Sequence, residues 1–554
     1  MSKLKWWQKS IVYQVYPKSF QDTTGSGVGD IPGVTRHLDY LKSLGTGAIW
    51  LTPVYPSPMV DNGYDISDYC GIDPSYGTME DMETLIAEAK KRDIRIVMDL
   101  VFNHSSDQHP WFLESKKDRT NPKADWYIWH DAKPDGSAPT NWRAIFGGSA
   151  WTWCEERQQY YLHTFAEAQP DLNWENPEVR KALFDAANFW LDKGVGGFRI
   201  DAIVYIKKPE FADGTPDGPD GLVGIHEMTA NTPGILDFLH EFRREVFDGH
   251  DIFTVGEANG VSPEELPQWV GENGVFSMLF EFSHLELAYP EGEIWCKRFP
   301  WKITQLKQAL TASQKATAKE GWYPIFFENH DQNRSMHRYF PEGTDPKTAA
   351  KALATILYTL RGTPFVYEGE EIGMTNVAFP HIEDYNDIST HGQYEYALKK
   401  GFTPEEALKC VQFQSRDNAR TPMQWTCEPN AGFTTGKPWL PVHEDFMDCC
   451  VEAEAEDGDS VLSYYRRLNR ERTTGAAAEI LQQGTYEELL PDDERVYVFE
   501  RSLDDHATYT IVNFTNEPVT YDAGFLKDAK PLLGNCKNPE KGKLRPAEAV
   551  VYMD

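Results

Sequence analysis

The sequence has no uninterrupted apolar run of roughly eighteen residues, so no membrane-spanning helix is expected. Its opening stretch, MSKLKWWQKS, has lysines but no apolar segment behind them, and no secretory signal is expected. No Cys-x-x-Cys pair occurs among the 8 cysteines (Cys70, Cys154, Cys296, Cys410, Cys427, Cys449, Cys450 and Cys536). These read as reduced cytoplasmic thiols rather than a disulfide framework, and the adjacent Cys449-Cys450 as chance. Positive charge is also scarce, 54 Lys and Arg against 86 Asp and Glu, for a formal charge of −32. That balance argues against a nucleic-acid or anionic-membrane partner and suits a neutral substrate. Internal repeats and low-complexity tracts are absent.

What is present is ample core material. The 554 residues exceed one ordinary core and allow a large domain with one or two smaller ones. Aromatic residues make up 13%, including 17 Trp and 26 Tyr, enough to pack that core and line a pocket. Eight short β-branched and aromatic runs, at 11–17, 48–53, 95–104, 195–203, 251–258, 275–282, 323–331 and 363–373, alternate with helix-patterned stretches. Segment 33–45 reads as one helix with Val34, Leu38, Leu41 and Leu44 on one face, and 177–193 as another. Eight such units predict an α/β fold, a (β/α)₈ barrel over 1–104 and 175–475. Segment 105–174 carries many Trp, Pro and Asp without a period and reads as a domain inserted after the third strand. Segment 375–442 reads as a second irregular excursion. From 476 to 554, short strands at 496–501, 508–513 and 549–553 predict a small antiparallel β domain.

Several strands end in chemically capable residues: Asp99, Asn103 and His104; Arg199 and Asp201; Glu257; and Glu328, Asn329, His330 and Asp331. Barrel active sites lie at the C-terminal strand ends, so these positions should converge. The two-residue strand period puts Arg199 and Asp201 on one inward face. A carboxylate beside a fixed guanidinium is expected to stay ionised. Singly, a strand-end Asp reads as a helix cap and an Asn-His pair as a polar turn. Four such ends in one barrel read as a site.

Those segments (99–104, 197–201, Glu257 and 329–331) resemble, in order, the four signature regions of the α-amylase superfamily, glycoside hydrolase family 13. QPDLN at 169–173 is similar to the oligo-1,6-glucosidase subfamily signature. Segments SRDNARTPMQW at 415–425 and NAGFTTGKPW at 430–439 resemble stretches typical of bacterial α-glucosidases. The resemblance implies Asp201 as nucleophile, Glu257 as general acid/base and Asp331 as transition-state stabiliser of a retaining glycosidase. Apolar neighbours on its strand are expected to keep Glu257 protonated. His104 and His330 resemble the family's hydroxyl-binding histidines. Asp61 and Arg416 resemble the pair that closes the first glucose subsite, and Tyr64 its stacking platform.

A closed pocket implies release of single glucose units from short α-1,4- and/or α-1,6-linked oligosaccharides, with transglucosylation as a second outcome. After the nucleophile comes Ala202, where related enzymes with Val favour α-1,6 bonds and those with Thr or Ala accept α-1,4 or both. Strand alternation points its side chain away from Asp201, yet at the strand's end it can border the aglycone side. Linkage stays open at this stage, as do a sucrose isomerase, a trehalose-forming mutase and a catalytically inactive transporter-associated relative. No cofactor is required. Segment 22–30, DTTGSGVGD, has a calcium loop's alternate spacing, but Thr24 and Ser26 stand where many relatives carry Asn and Asp. A glycine-rich turn held by hydroxyls accounts for it as well, and no metal site is assigned.

Overall fold

The computed structural model describes residues 4–289 and 295–554. Eight parallel strands form one sheet: β1 (Ile11–Val15), β2 (Thr46–Leu51), β3 (Arg95–Val101), β4 (Gly197–Asp201), β5 (Phe253–Glu257), β6 (Met278–Phe280), β7 (Pro324–Ile325) and β8 (Thr363–Tyr367). Their order is β6-β5-β4-β3-β2-β1-β8-β7, with β6 and β7 brought side by side, a nearly closed barrel. β1, β4 and β8 are buried along their whole length, as strands walled by helices must be. Register is tight at the centre, where Asp99 of β3 lies opposite Arg199 of β4, and Arg199 opposite Val255 of β5. Gly197 opens β4 with φ +149°, and a Cβ there would sit 1.9 Å from the Phe253 carbonyl oxygen. Only glycine lets β4 approach β5 so closely.

Two expectations need correction. Segment 33–45 is not one helix but two, Ile31–Arg36 and Leu38–Ser43, broken at His37. The His37 ring stacks on Trp425 at 3.6 Å and its Nε2 lies 2.9 Å from Gln21 Oε1, contacts that turn the chain there. β7 spans two residues rather than nine. Pro324 supplies no N–H to a ladder, and the chain beyond Ile325 runs irregularly to Asp331.

Segment 105–174 holds a three-stranded antiparallel sheet in the order Trp129–His130, Gln159–Leu162, Trp151–Cys154. It is tied to the barrel by Trp142–Arg143, which pairs with Val223–Gly224 from the long loop after β4. Segment 375–442 is more regular than its sequence suggested, with helices at Ile388–Lys399 and Pro404–Gln414. Each had a legible start. Asp387 caps the first, and Thr403-Pro404-Glu405-Glu406 forms a capping box on the second. Beyond 476 a five-stranded antiparallel sheet runs Thr485–Leu489, Val496–Leu503, His506–Asn513, Ala549–Met553, Lys530–Gly534. Fully buried Arg501 of this sheet, and Arg472 of the preceding helix Val461–Thr473, both bind carbonyls ending helix Pro346–Thr359. Arg501 donates to Thr359 O at 2.7 Å and Arg472 to Tyr358 O at 2.6 Å.

Candidate active site

The C-terminal strand ends meet around one side chain. Arg199 is 1% exposed; its Nη1 donates to both Asp99 oxygens (2.8 and 2.9 Å) and to Asp201 Oδ1 (2.7 Å). Its Nη2 donates to Glu257 Oε2 at 2.6 Å. Asp99 is held further by Trp50 Nε1 (3.2 Å) and the Tyr64 hydroxyl (3.0 Å), both donating to Oδ2. One guanidinium therefore serves three carboxyls and cannot neutralise them all. Burial pushes the Asp201 carboxyl well above the usual range, Glu257, Asp99 and Asp331 adding to it while Arg199 pulls it down. Burial raises Asp99 in the same way against Arg199. The expectation that Arg199 alone keeps Asp201 ionised needs correction, because that guanidinium is shared. So does the apolar setting expected for Glu257. Its Oε2 accepts from Arg199 and, at 3.0 Å, from the Ala202 N–H.

The opposite end of the pocket is closed by a second cation. Arg416 donates from Nη2 to Asp61 Oδ1 (3.0 Å), from Nη1 to Asp331 Oδ1 (3.1 Å) and from Nε to Asp387 Oδ1 (2.8 Å). Arg420 Nη2 adds a bond to Asp331 Oδ1 at 2.8 Å. Both members of the Asp61–Arg416 pair are buried, so it is no surface salt bridge. Burial opposes ionisation of Asp331, but His330, Arg416 and Arg420 hold its carboxyl well below the usual range. Burial likewise opposes ionisation at Asp387, yet Arg416 and Arg420 bring it down to about 2. His104 is driven by burial down to about 4, so its ring is neutral at physiological pH. Its Nε2 lies 3.2 Å from the Tyr64 carbonyl and 3.1 Å from Gln169 Nε2, and Gln169 also donates to Asp61 Oδ2. Tyr64 stacks on His330 with ring centres 5.1 Å apart.

Of the nine residues singled out from the sequence, Asp61, Tyr64, His104, Asp201, Glu257, Asp331 and Arg416 line one cavity of about 420 Å³, and Arg199 and His330 stand behind that lining, against Asp201 and against Tyr64 and Asp331. Asp387 and Arg420 were not among them, since a carboxylate capping a helix and one Arg among several carry no distinguishing local signal. The outer half of the cavity is lined by Phe146, Phe165, Glu227, Asn259, Glu286 and Trp295, among others. Ala202 also lines it, as its place at the strand's end allowed. Its backbone has left the strand for the left-handed region (φ 44°, ψ 34°), which turns the methyl toward the pocket.

The segment 169–173 lies where the inserted domain meets β3. Asp171 accepts from Thr164 N–H at 2.9 Å and Asn103 Nδ2 at 3.2 Å, and pairs with Lys208 Nζ at 2.7 Å. The ammonium also donates to Asn103 Oδ1 and Thr164 Oγ1, so an oxygen cage encloses it. In segment 22–30 the Asp22 carboxylate turns into its own loop, accepting N–H bonds from Thr24, Gly25 and Gly27 at 2.7–3.0 Å and the Thr434 hydroxyl at 2.5 Å. Asp30 caps the following helix through Gly33 N–H. Among the described residues no group of three or more His, Cys, Asp or Glu is arranged to hold a metal.

A (β/α)₈ barrel with carboxyls gathered at its C-terminal strand ends defines a class of sugar-acting enzymes. Residues 14–484 match the alpha-amylase catalytic domain, and the chain belongs to the alpha-amylase family of glycoside hydrolases. It is 44% identical to an oligo-1,6-glucosidase of Parageobacillus thermoglucosidasius, over 99% of this chain and 98% of that one. It is 42% identical to a trehalose-6-phosphate hydrolase of Bacillus subtilis, over 99% and 98%. Among solved structures, an isomaltulose synthase from Klebsiella sp. LX3 superposes with a TM-score of 0.94 at 40% identity, covering 100% of both chains.

Replacing Arg199 with Gln removes the one group pulling Asp201 down. The acid limb of the pH–rate profile on an aryl α-glucoside should move to higher pH, with a loss of about tenfold or more near neutrality. An acid limb that stays in place would show that Arg199 does not govern this ionisation.

Proposed function

We propose that the chain is a retaining, exo-acting α-glucosidase that removes terminal glucose from short α-1,4- and α-1,6-linked oligosaccharides. The observation that carries this reading is the Arg199 clamp beside a pocket closed by Asp61, Arg416 and Asp387. Adjacent nitrogens of one guanidinium hold Asp201 and Glu257. Double displacement requires two carboxyls about 5–5.5 Å apart, and such a clamp favours a short separation. Asp201 attacks the anomeric carbon, and Glu257 protonates the departing oxygen. Two N–H donors occupy Glu257 Oε2, so its proton belongs on Oε1. Asp201 attacks as its carboxylate; as the bond breaks, the sugar ring gains positive charge, which Asp331 stabilises. Glu257 then takes a proton from water, or from a second sugar, and the covalent intermediate is released.

The closed end admits one glucose, whose hydroxyls find Asp61, Arg416, His104 and Asp331 within the cavity. The substrate side supports a neutral aglycone. Glu227 and Glu286 line it, and the only lining cation among the described residues, Arg416, is committed to three carboxylates. A phosphorylated disaccharide, named for the trehalose-6-phosphate hydrolase relative, would meet negative charge there. An isomaltulose synthase is also similar, so isomerisation is tested by product analysis. Chromatography of products from maltose, isomaltose, sucrose and trehalose should give free glucose rather than rearranged disaccharides. No described helix is long and apolar enough to cross a membrane, and the cysteines are free thiols, which supports a cytoplasmic reading. The hydrogen-bonded closure of segment 22–30 supports a loop that needs no calcium.

Three measurements follow from this reading. Glu257→Gln should lower kcat/KM for maltose and isomaltose by about 10²–10⁴-fold. It should affect a nitrophenyl α-glucoside far less, because that leaving group departs unprotonated; equal losses on both would assign the acid elsewhere. Ala202→Val should shift the isomaltose-to-maltose ratio of kcat/KM toward isomaltose by about 1–3 kcal/mol of differential transition-state binding. It should also lower Tm, since a β-branched residue at this φ costs about 1–2 kcal/mol. A ratio that does not move would remove position 202 as the linkage reader. Excess EDTA should leave Tm unchanged; a fall of several degrees, restored by calcium, would show that the loop binds the ion.

A further inference from the structure

His330 stands at the end of β7 and is fully buried. Its ring is held between Tyr64, at 5.1 Å and 2° from parallel, and Tyr16, at 6.1 Å and 18°, with the edge of Trp50 at 6.0 Å. Arg420 Nε donates to its carbonyl at 2.9 Å. Ring and backbone are thus fixed, and only the placement of the ring proton is left to decide. Nε2 lies 3.1 Å from Asp331 Oδ2, and Nδ1 lies 2.8 Å from Nε2 of Gln14 on β1, a side chain 1% exposed.

We infer that Gln14 is a positioning residue that keeps the ring proton of His330 on Nε2, which has no hydrogen-bond partner of its own beside Asp331 Oδ2 and is left free for the sugar hydroxyls that Asp331 grips. A carboxylate can only accept, so Asp331 requires a donor at Nε2. A neutral imidazole donates from one nitrogen and accepts at the other. Nδ1 must then accept, and an uncharged amide is the side chain that donates there without adding charge to a site already crowded with it. A glutamate at position 14 would reverse the direction. It would draw the proton to Nδ1 and set a bare Nε2 against the Asp331 carboxylate, or it would demand a doubly protonated ring. This role rests on the proposed glucosidase chemistry only for its effect on rate; the tautomer itself does not.

The charged and titratable groups around the ring are Asp99 of β3, Asp331 beside it, Arg420 and Arg416 across Asp331, and the phenols of Tyr16 and Tyr64. All are retained in Gln14 variants, so the ratio of variant to wild-type rate at each pH reports the ring alone in Gln14→Met, and the ring with its new carboxyl partner in Gln14→Glu.

Gln14→Glu and Gln14→Met would be compared with wild type on a nitrophenyl α-glucoside across the pH range. Gln14→Glu should lose on the order of 10²-fold in kcat near neutrality, the scale of one misdirected donor. That deficit should shrink as pH falls, because a second ring proton restores the Nε2 donor. Gln14→Met should lose less, by a factor that does not change with pH, since it removes the donor to Nδ1 without supplying an acceptor that draws the proton there. A Gln14→Glu deficit that is flat with pH, or rates within about twofold of wild type, would overturn the inference. Nitrogen-15 NMR of the histidine rings in the wild-type enzyme tests it without any variant. The expected result is a bare Nδ1 and a protonated Nε2 at His330, and the reverse tautomer would overturn the assignment. A wild-type enzyme inactive on every α-glucoside would instead defeat the proposed function and leave the NMR result standing.

Discussion

The buried guanidinium of Arg199 is the constraint on which the catalytic centre depends. Three carboxyls from three adjacent strands converge on it, Asp99, Asp201 and Glu257. Taking four ionisable groups out of water is costly unless each finds partners; Asp99 is held also by Trp50 and Tyr64 and Glu257 by the Ala202 N–H, while the partner found for Asp201 is Arg199 itself. Removing any one partner would leave charge stranded in a low-dielectric interior. The same arrangement makes protonation a property of the cluster rather than of a single acid. One positive charge shared by three carboxyls makes their ionisations depend on one another.

A second cation organises the far wall. Arg416 joins Asp61, Asp331 and Asp387, which lie in the loop after β2, at the end of β7 and at the cap of helix Ile388–Lys399. The excursion after β8 thereby does more than decorate the barrel. Its helices place Asp387, Arg416 and Arg420 where they close the pocket and fix Asp331. The inserted segment contributes through Gln169 and Asp171, one touching Asp61 and His104, the other neutralising Lys208. The pocket floor thus belongs to four separate stretches of chain, and its closure depends on each being docked.

Much of this was legible in the chain because the relevant signals are local. Buried parallel strands need β-branched and aromatic runs, so all eight strand regions stood out, although β7 proved far shorter than its run. Strand period two put Arg199 and Asp201 on one face. Helix starts at Asp387 and Thr403 were also written locally, and the absence of a clear period in between hid them. Ala202 shows where a local rule stops. Alternation holds only while the backbone remains extended, and at φ 44° it does not.

By itself, then, the sequence determined the barrel, the inserted and C-terminal segments, and the nine residues whose chemistry suits a sugar. The tertiary structure decided their partners. Asp61 and Arg416 are 355 residues apart, Gln14 and His330 are 316 apart, and no local pattern marks Gln14, Asp387 or Arg420 as belonging to the pocket. It also decided the charge states, because a carboxyl's ionisation follows from burial and from which neighbours share its cation. Periodicity is set by bond geometry along the chain. Desolvation and pairing are set by what the fold brings across it.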